Sequence, residues 1–265
     1  MHKDWKKICA SFLEATSYSP AELEEMSAHR GYDRANRPEQ YLTYPDAEVR
    51  VPLGAPEFPA DCDFWQVLSE RRSKRNFKPE PLRLNQLNCL LWAAQGITAD
   101  MGDYQLRTAP SAGALYPVET YMVVNRVEGL APGLYHLDVR GWSLEGLRLG
   151  DLSEECCEAL LGQDMCQLAA VNFVWSAVVE RCRAKYFERA YRYVWWDSAH
   201  ISENLFLAAT ALGLGSCCIG AWHDNLIHDL LGIDGKEHFS VLAASAGLID
   251  GGDWRQDRRP PKRTD

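Results

Sequence analysis

Arg71-Arg72-Ser73-Lys74-Arg75 puts four cations and a hydroxyl into five positions of a chain whose formal net charge is −9. Arginine offers a planar fork of donors that matches a phosphate, and the serine adds a neutral donor, so the run has the chemistry of an anion site. A plainer reading is also open. Asp63, with Gln66 three residues on, reads as a capped helix start ahead of Phe64, Val67 and Leu68. The cations then fall at that helix's C-terminus, where the dipole favours each by ~0.3–1 kcal/mol. A second stretch, Pro110-Ser-Ala-Gly-Ala-Leu-Tyr-Pro117, brackets small residues with prolines. That makes either a rigid segment whose backbone can approach a ligand closely or an ordinary surface turn. A third, Cys217–Ala221, is apolar and flanked by glycines.

The cysteines point to no metal. There are nine, with adjacent pairs at Cys156-Cys157 and Cys217-Cys218, and neither Cys-x-x-Cys nor His-x3-His spacing occurs. Reduced thiols packed as small hydrophobes are the expectation.

The elements that must position these stretches follow from periodicity. Residues 1–30 read as an amphipathic helix, with Trp5, Ile8, Phe12 and Leu13 on one face. Residues 31–60 are broken by Pro38, Pro45, Pro52, Pro56 and Pro59 and carry Tyr41 and Tyr44, which predicts an extended arm. A core helix over 63–72 leads into the basic run. Leu87, Leu90, Leu91 and Ala94 predict the next helix, ended by Gly96, and 97–109 read as loop. Residues 118–124 alternate as a strand, and Gly133–Leu137 with Trp142–Leu144 read as a meander around Arg140-Gly141. A helix with Leu160, Leu161 and Leu168 inward is expected over 151–168, then a buried strand over Ala169–Val179. A long helix is expected from about Asp197 to Leu212, and a last strand over 240–249. Helices and strands mix without regular alternation, so the fold class is α+β. The domain reading is an N-terminal helix and proline-rich arm over 1–60 and one larger domain over 61–265.

Composition excludes several classes. A pI near 5.3 argues against nucleic acid, which needs a broad basic face. No apolar run reaches the ~18 residues of a membrane helix, and no signal-peptide core follows the first residues, so the cytoplasm is the default compartment. Gly213-Leu-Gly215 follows a helix and lacks a third glycine in register, so no dinucleotide fingerprint is present. Neither Gly-x4-Gly-Lys-Ser/Thr nor Gly-x-Ser-x-Gly occurs.

Six motifs in order resemble the nitroreductase superfamily, and within it the SagB-type branch of azoline-oxidising peptide dehydrogenases. They are the Arg-x-Ser-x-Arg of the basic run; Leu91-Trp-Ala-Ala-Gln-Gly96; Arg107-Thr-Ala-Pro-Ser-Ala-Gly-Ala-Leu-Tyr-Pro117; Gly133-Leu-Tyr-His136; Lys185-Tyr-Phe-Glu-Arg-Ala-Tyr-Arg192; and Ala209-Thr-Ala-Leu-Gly-Leu-Gly215. The arm, Arg37-Pro-Glu-Gln-Tyr-Leu-Thr-Tyr-Pro45, is similar too, and the likeness spans roughly 35–250.

The resemblance implies a mixed, mostly antiparallel sheet flanked by helices, in an intertwined homodimer that shares two FMN sites. Arg71, Arg72 and Ser73 would hold the phosphate and ribityl chain, and Arg75 the N1/O2 edge of the ring. Pro110, Ser111, Ala112 and Gly113 would come from the other subunit. Cys218, Ile219, Gly220 and Ala221 would offer backbone N–H near flavin N5, and Arg255 and Arg258 would complete the phosphate site. Lys185 and Tyr186 match the pair assigned to catalysis, as base and proton relay; alternatively they only fix the segment entering Tyr191–Trp196. Gly220 stands where many simple nitroreductases carry an acid. The implied activity is FMN-dependent dehydrogenation of an azoline-like peptide or small molecule. The alternatives are an NAD(P)H-dependent nitroreductase or quinone reductase, and a flavin-binding scaffold without turnover.

Overall fold

The computed structural model describes residues 4–21, 24, 38–102 and 104–250. In chain order its elements are α1 (Trp5–Ala15), β1 (Val49–Pro52), α2 (Phe64–Glu70), α3 (Leu84–Gln95), β2 (Ile97–Asp100), β3 (Gln105–Arg107), β4 (Val118–Val124), β5 (Gly133–Asp138) and β6 (Ser143–Leu149). There follow α4 (Ser153–Ala159), α5 (Met165–Leu168), β7 (Val171–Val178), α6 (Glu180–Tyr186), α7 (Ala190–Ala211), β8 (Gly215–Ile219), α8 (Asp224–Leu231) and β9 (His238–Gly247). Seven strands form one sheet in the order β1-β6-β5-β4-β7-β9-β8, and each pairing in it is antiparallel. This is an α+β, mostly antiparallel sheet with helices on both faces.

β4 sits at the centre, and all of its residues are buried. Successive side chains point to opposite faces of a strand. Val118, Met122 and Val124 meet α3 and α7 on one side, whereas Tyr121 and Val123 meet α4, α5 and α8 on the other. The alternation read in the sequence therefore divides two cores, not core from solvent. Leu87, Leu90, Leu91 and Ala94 of α3 are fully buried, as their spacing predicted. Gly96 follows the helix, its N–H donating to Trp92 O at 2.8 Å.

Several elements differ from expectation. Residues 97–109 contain the β2–β3 hairpin, too short and polar to signal itself. The helix expected over 151–168 is two short ones, because Leu161 and Gly162 adopt φ of 60° and 65° between them. Leu160 is buried, but Leu161 and Leu168 are exposed. α7 starts at Ala190, ahead of the expected Asp197. α1 ends at Ala15 with no residue buried, so the face bearing Trp5, Ile8 and Leu13 is exposed. Of the predicted core helix 63–72, only Val67 is buried, and Phe64, Trp65 and Leu68 are exposed. Within the arm, β1 joins the sheet edge against β6. All nine cysteines are free thiols, six of them buried.

A chain of charges runs through the sheet. Arg181 donates to Glu119 at 2.5 Å, and His136 lies 3.1 Å from Glu119 and 2.8 Å from Glu145. Arg50 reaches Glu145 at 2.7 Å. Burial would raise both carboxyl pKa values and lower that of His136, but the pairing outweighs burial at all three. The carboxylates stay ionised below their usual range and His136 stays protonated above its own. Nearby, His238 is bonded to Ser176 at 2.8 Å and is driven the other way, mainly by burial, down to about 4.

A group whose folded pKa is depressed favours the fold above its unfolded pKa and loses that contribution as pH falls through its folded one. For His238 the loss runs from about pH 6.5 down to 4. His136, being raised, adds no slope there, and the carboxylates act only below about pH 4.5. Urea unfolding should show the wild type losing stability relative to His238→Gln as pH falls from about 6.5 to 4.5. A pH-independent difference would mean that His238 does not titrate with folding.

Candidate active site

The basic run leaves α2 and is laid along the sheet. Asp63 caps α2 by accepting from Gln66 N–H at 2.9 Å, and Arg71 is its C-terminal cap. The chain then follows β8: Ser73 bridges Ser216, and Lys74 N–H donates to Ser216 O at 2.9 Å. Buried Phe77 packs over Gly215 and Gly247, its ring 3.3 and 3.2 Å from where a methyl group on each would stand, which holds the run against β8 and β9. Arg71 and Arg72 are half-buried, and Ser73 and Arg75 are exposed. Arg71 Nε lies 3.6 Å from Glu203 of α7, a part-exposed pair of little energetic weight.

The structure thus sets the run beside Ser216 and Cys217, immediately ahead of 218–221. Burial raises the Cys217 thiol pKa, while Arg75 and a bond from Ser73 pull it back. Past Cys217, the chain exposes Cys218, buries Ile219 and exposes Gly220 and Ala221. A side chain at Gly220 would meet no atom within 4 Å, so its backbone faces open space. Arg255 and Arg258 lie outside the described residues.

A second group forms around the 110–117 turn. Gly113, Ala114 and Tyr116 have φ of 65°, 54° and 48°, the left-handed region that costs non-glycine residues about 1–2 kcal/mol each. The turn is held regardless. Ser111 Oγ donates to Asp197 Oδ2 at 2.5 Å and accepts from Tyr116 N–H at 2.9 Å, and Ala112 N–H reaches Asp197 Oδ1 at 3.3 Å. Burial raises the Asp197 pKa, and these two bonds partly restore it. Tyr116 Oη accepts from Arg107 N–H at 2.9 Å.

Lys185 and Tyr186 end α6 and converge on this turn. A methyl group at Gly113 would stand 2.6 Å from Tyr186 Oη and 2.8 Å from Lys185 Nζ. Nζ lies 5.1 Å from the Tyr186 ring, which packs edge-on against Tyr193 at 4.8 Å. The pair lies in the last turn of α6. Both side chains are partly exposed.

α7 carries both groups. Asp197 holds the 110–117 turn and Glu203 touches Arg71. Six residues on a helix give about 9 Å of rise and about one and two-thirds turns, so the two attachments face different sides. The sequence reading missed Asp197, Arg181 and Glu119. Glu119 left a signal, an acid one residue into the apolar strand Val118–Val124.

Residues 68–247 match the nitroreductase family. The chain belongs to that family. Its members typically bind flavin, and the chain is an oxidoreductase by membership. It is 36% identical over 176 residues, 66% of its length, to a protein of Methanocaldococcus jannaschii named as a nitroreductase, covering 86% of that protein. It is 26% identical over 249 residues to the trifolitoxin-processing protein TfxB of Rhizobium leguminosarum bv. trifolii, matching 87% of this chain but 63% of that one. The fold is also similar to a chain of the E. coli microcin synthetase McbBCD complex with truncated pro-MccB17 bound, with a TM-score of 0.58 and 21% identity over 91% of this chain and 86% of that chain. Among the described residues, no helix is long and apolar enough to cross a membrane.

Gly113→Ala should cost about 1–2 kcal/mol of stability and push Lys185 and Tyr186 from the turn, whereas Gly220→Ala should change stability by less than about 0.5 kcal/mol. Chemical denaturation of both variants checks this, and equal effects would mean that Gly113 is not under steric demand.

Proposed function

We propose that this chain is an FMN-dependent dehydrogenase of the SagB type, acting on an azoline-like ring in a modified peptide or small molecule. The observation that carries the reading is the convergence of Lys185 Nζ and Tyr186 Oη on Gly113. A simple flavin reductase has no need of an amine and a phenol trained on one backbone position. The likeness to TfxB, named for processing a peptide toxin, supports the peptide side of the reading.

The residues present suit FMN. Arg71, Arg72 and Arg75 with Ser73 lie along β8, and their charge and donors match a phosphate. Beside them, the open backbone at Gly220 leaves room for a planar ring. When bound, FMN supplies an acceptor for a hydride. Aromatising an azoline also releases a proton, and Lys185 is the base assigned to take it, with Tyr186 as relay. Arg75 would favour negative charge at the edge it faces.

The two groups would meet across a homodimer, with 71–75 and 218–221 of one subunit facing 110–113 and 185–186 of the other. Exposed Phe64 (57%), Trp65 (75%) and Leu68 (39%) on α2, with Trp195 and Trp196 on α7, form the apolar surface a second copy would cover. Free thiols and acidic composition fit a cytoplasmic setting. The reductase reading draws on the Methanocaldococcus relative and makes no use of Lys185.

Lys185→Ala should retain FMN, identified by its visible spectrum and by mass after release, and lose about 10²–10⁴-fold in turnover of a thiazoline or oxazoline substrate. Normal turnover, together with rapid bleaching of the flavin by NADPH, would favour the reductase. Shared sites predict complementation. An equal, randomly reassorted mixture of Arg71→Ala/Arg75→Ala with Lys185→Ala should recover up to about a quarter of wild-type activity, because about half of its dimers are heterodimers and each of those has one of its two sites intact. No recovery despite verified heterodimers would sink the shared site.

A further inference from the structure

α6 has seven residues and no side-chain N-cap, so it cannot hold its own direction. Something else must aim its last turn, where Lys185 and Tyr186 sit. The residue one turn earlier on the same face as Lys185 is Arg181, about 6 Å along the axis. Its side chain is 3% exposed. Arg181 Nε donates to Glu39 O in the arm at 2.6 Å. Its Nη1 donates to Tyr116 O in the left-handed turn at 3.1 Å and to Glu119 Oε1 in β4 at 2.5 Å. One buried guanidinium thus ties α6 to the arm, to the turn that presents Gly113, and to the central strand.

We infer that Arg181 is the positioning residue for Lys185 and Tyr186, fixing α6 and the 110–117 turn relative to each other so that both side chains meet Gly113. The inference rests on the reading of that pair as the reacting groups.

Arg181 is itself held from behind. The other oxygen of Glu119 faces His136, and the far side of His136 faces Glu145. Glu145 accepts from Tyr44 N–H at 3.0 Å and pairs with Arg50. Signs alternate along the whole row, so no member can shift without leaving a neighbour buried and unpaired. The row therefore fixes the guanidinium, and the guanidinium fixes the helix. Lysine at 181 would keep a cation against Glu119 but could not present a rigid fork to three acceptors in three directions.

The test uses the whole flavin-loaded chain carrying Arg181→Lys. Amide exchange should rise about ten-fold or more in peptides covering 180–187 and 110–117, while β7 and β9 keep their protection. Turnover should fall about ten-fold or more at unchanged KM and unchanged flavin content. Adding Arg181→Lys to Lys185→Ala/Tyr186→Phe should slow that variant no further, because Arg181 acts only through those two residues. Unchanged exchange at 180–187 overturns the inference whatever the chemistry. So does a further loss on adding Arg181→Lys to Lys185→Ala/Tyr186→Phe, since Arg181 would then stabilise the fold without aiming the pair. Full turnover in Lys185→Ala alone refutes the proposed reaction instead, and exchange still decides whether Arg181 anchors α6. If Arg181→Lys fails to fold, Arg181→Gln/Glu119→Gln, which removes both charges of the pair, is read by the same measurements.

Discussion

A carboxylate in the middle of a two-sided sheet has no water to turn to. Glu119 is such a group, on the central strand with helices over both faces. It stays ionised because Arg181 and His136 meet its two oxygens. That requirement spreads outward. Arg181 is the cation available to one oxygen, so α6 must start beside β4. His136 must be on the neighbouring strand, and it is, paired in register with Tyr121. Its protonated ring then needs Glu145 on the next strand, and Glu145 draws in Tyr44 and Arg50 from the arm. Removing one member would leave an uncompensated buried charge, at a typical cost of about 3–5 kcal/mol. The same row therefore sets strand register, the docking of the arm and the place of α6.

α7 organises the rest. It is the longest helix among the described residues, and it packs on α3 and on the sheet. Asp197 on one side holds a turn with three left-handed residues, and Glu203 on another touches the basic run. A single helix thus separates the cation-lined edge from the amine and phenol. In the proposed dimer that separation becomes useful, since each half-site is completed by a copy and neither half forms a full site alone.

Much of this was legible in the chain. The 3.6-residue spacing of Leu87, Leu90, Leu91 and Ala94 gave a buried helix, because one apolar stripe has one way to leave water. The basic run stood out against an acidic chain, and its place at a helix end followed from Asp63 and Gln66. Readings failed where local signals were absent or shared. The β2–β3 hairpin is short and polar. The break at Leu161–Gly162 depends on a left-handed leucine that sequence does not announce. The apolar face of α2 looked like core but is exposed, because periodicity tells that a face is apolar and not what covers it.

The sequence by itself determined the α+β class, the central buried strands, the cation cluster and the family, since these depend on residue type and near spacing. Only the tertiary structure decided which distant groups meet: Ser111 with Asp197, Lys185 and Tyr186 with Gly113, and Arg181 with Glu39, Tyr116 and Glu119. Those meetings are set by burial of charge and by strand register, which satisfy donors and acceptors far apart in the chain and leave no periodic trace in it.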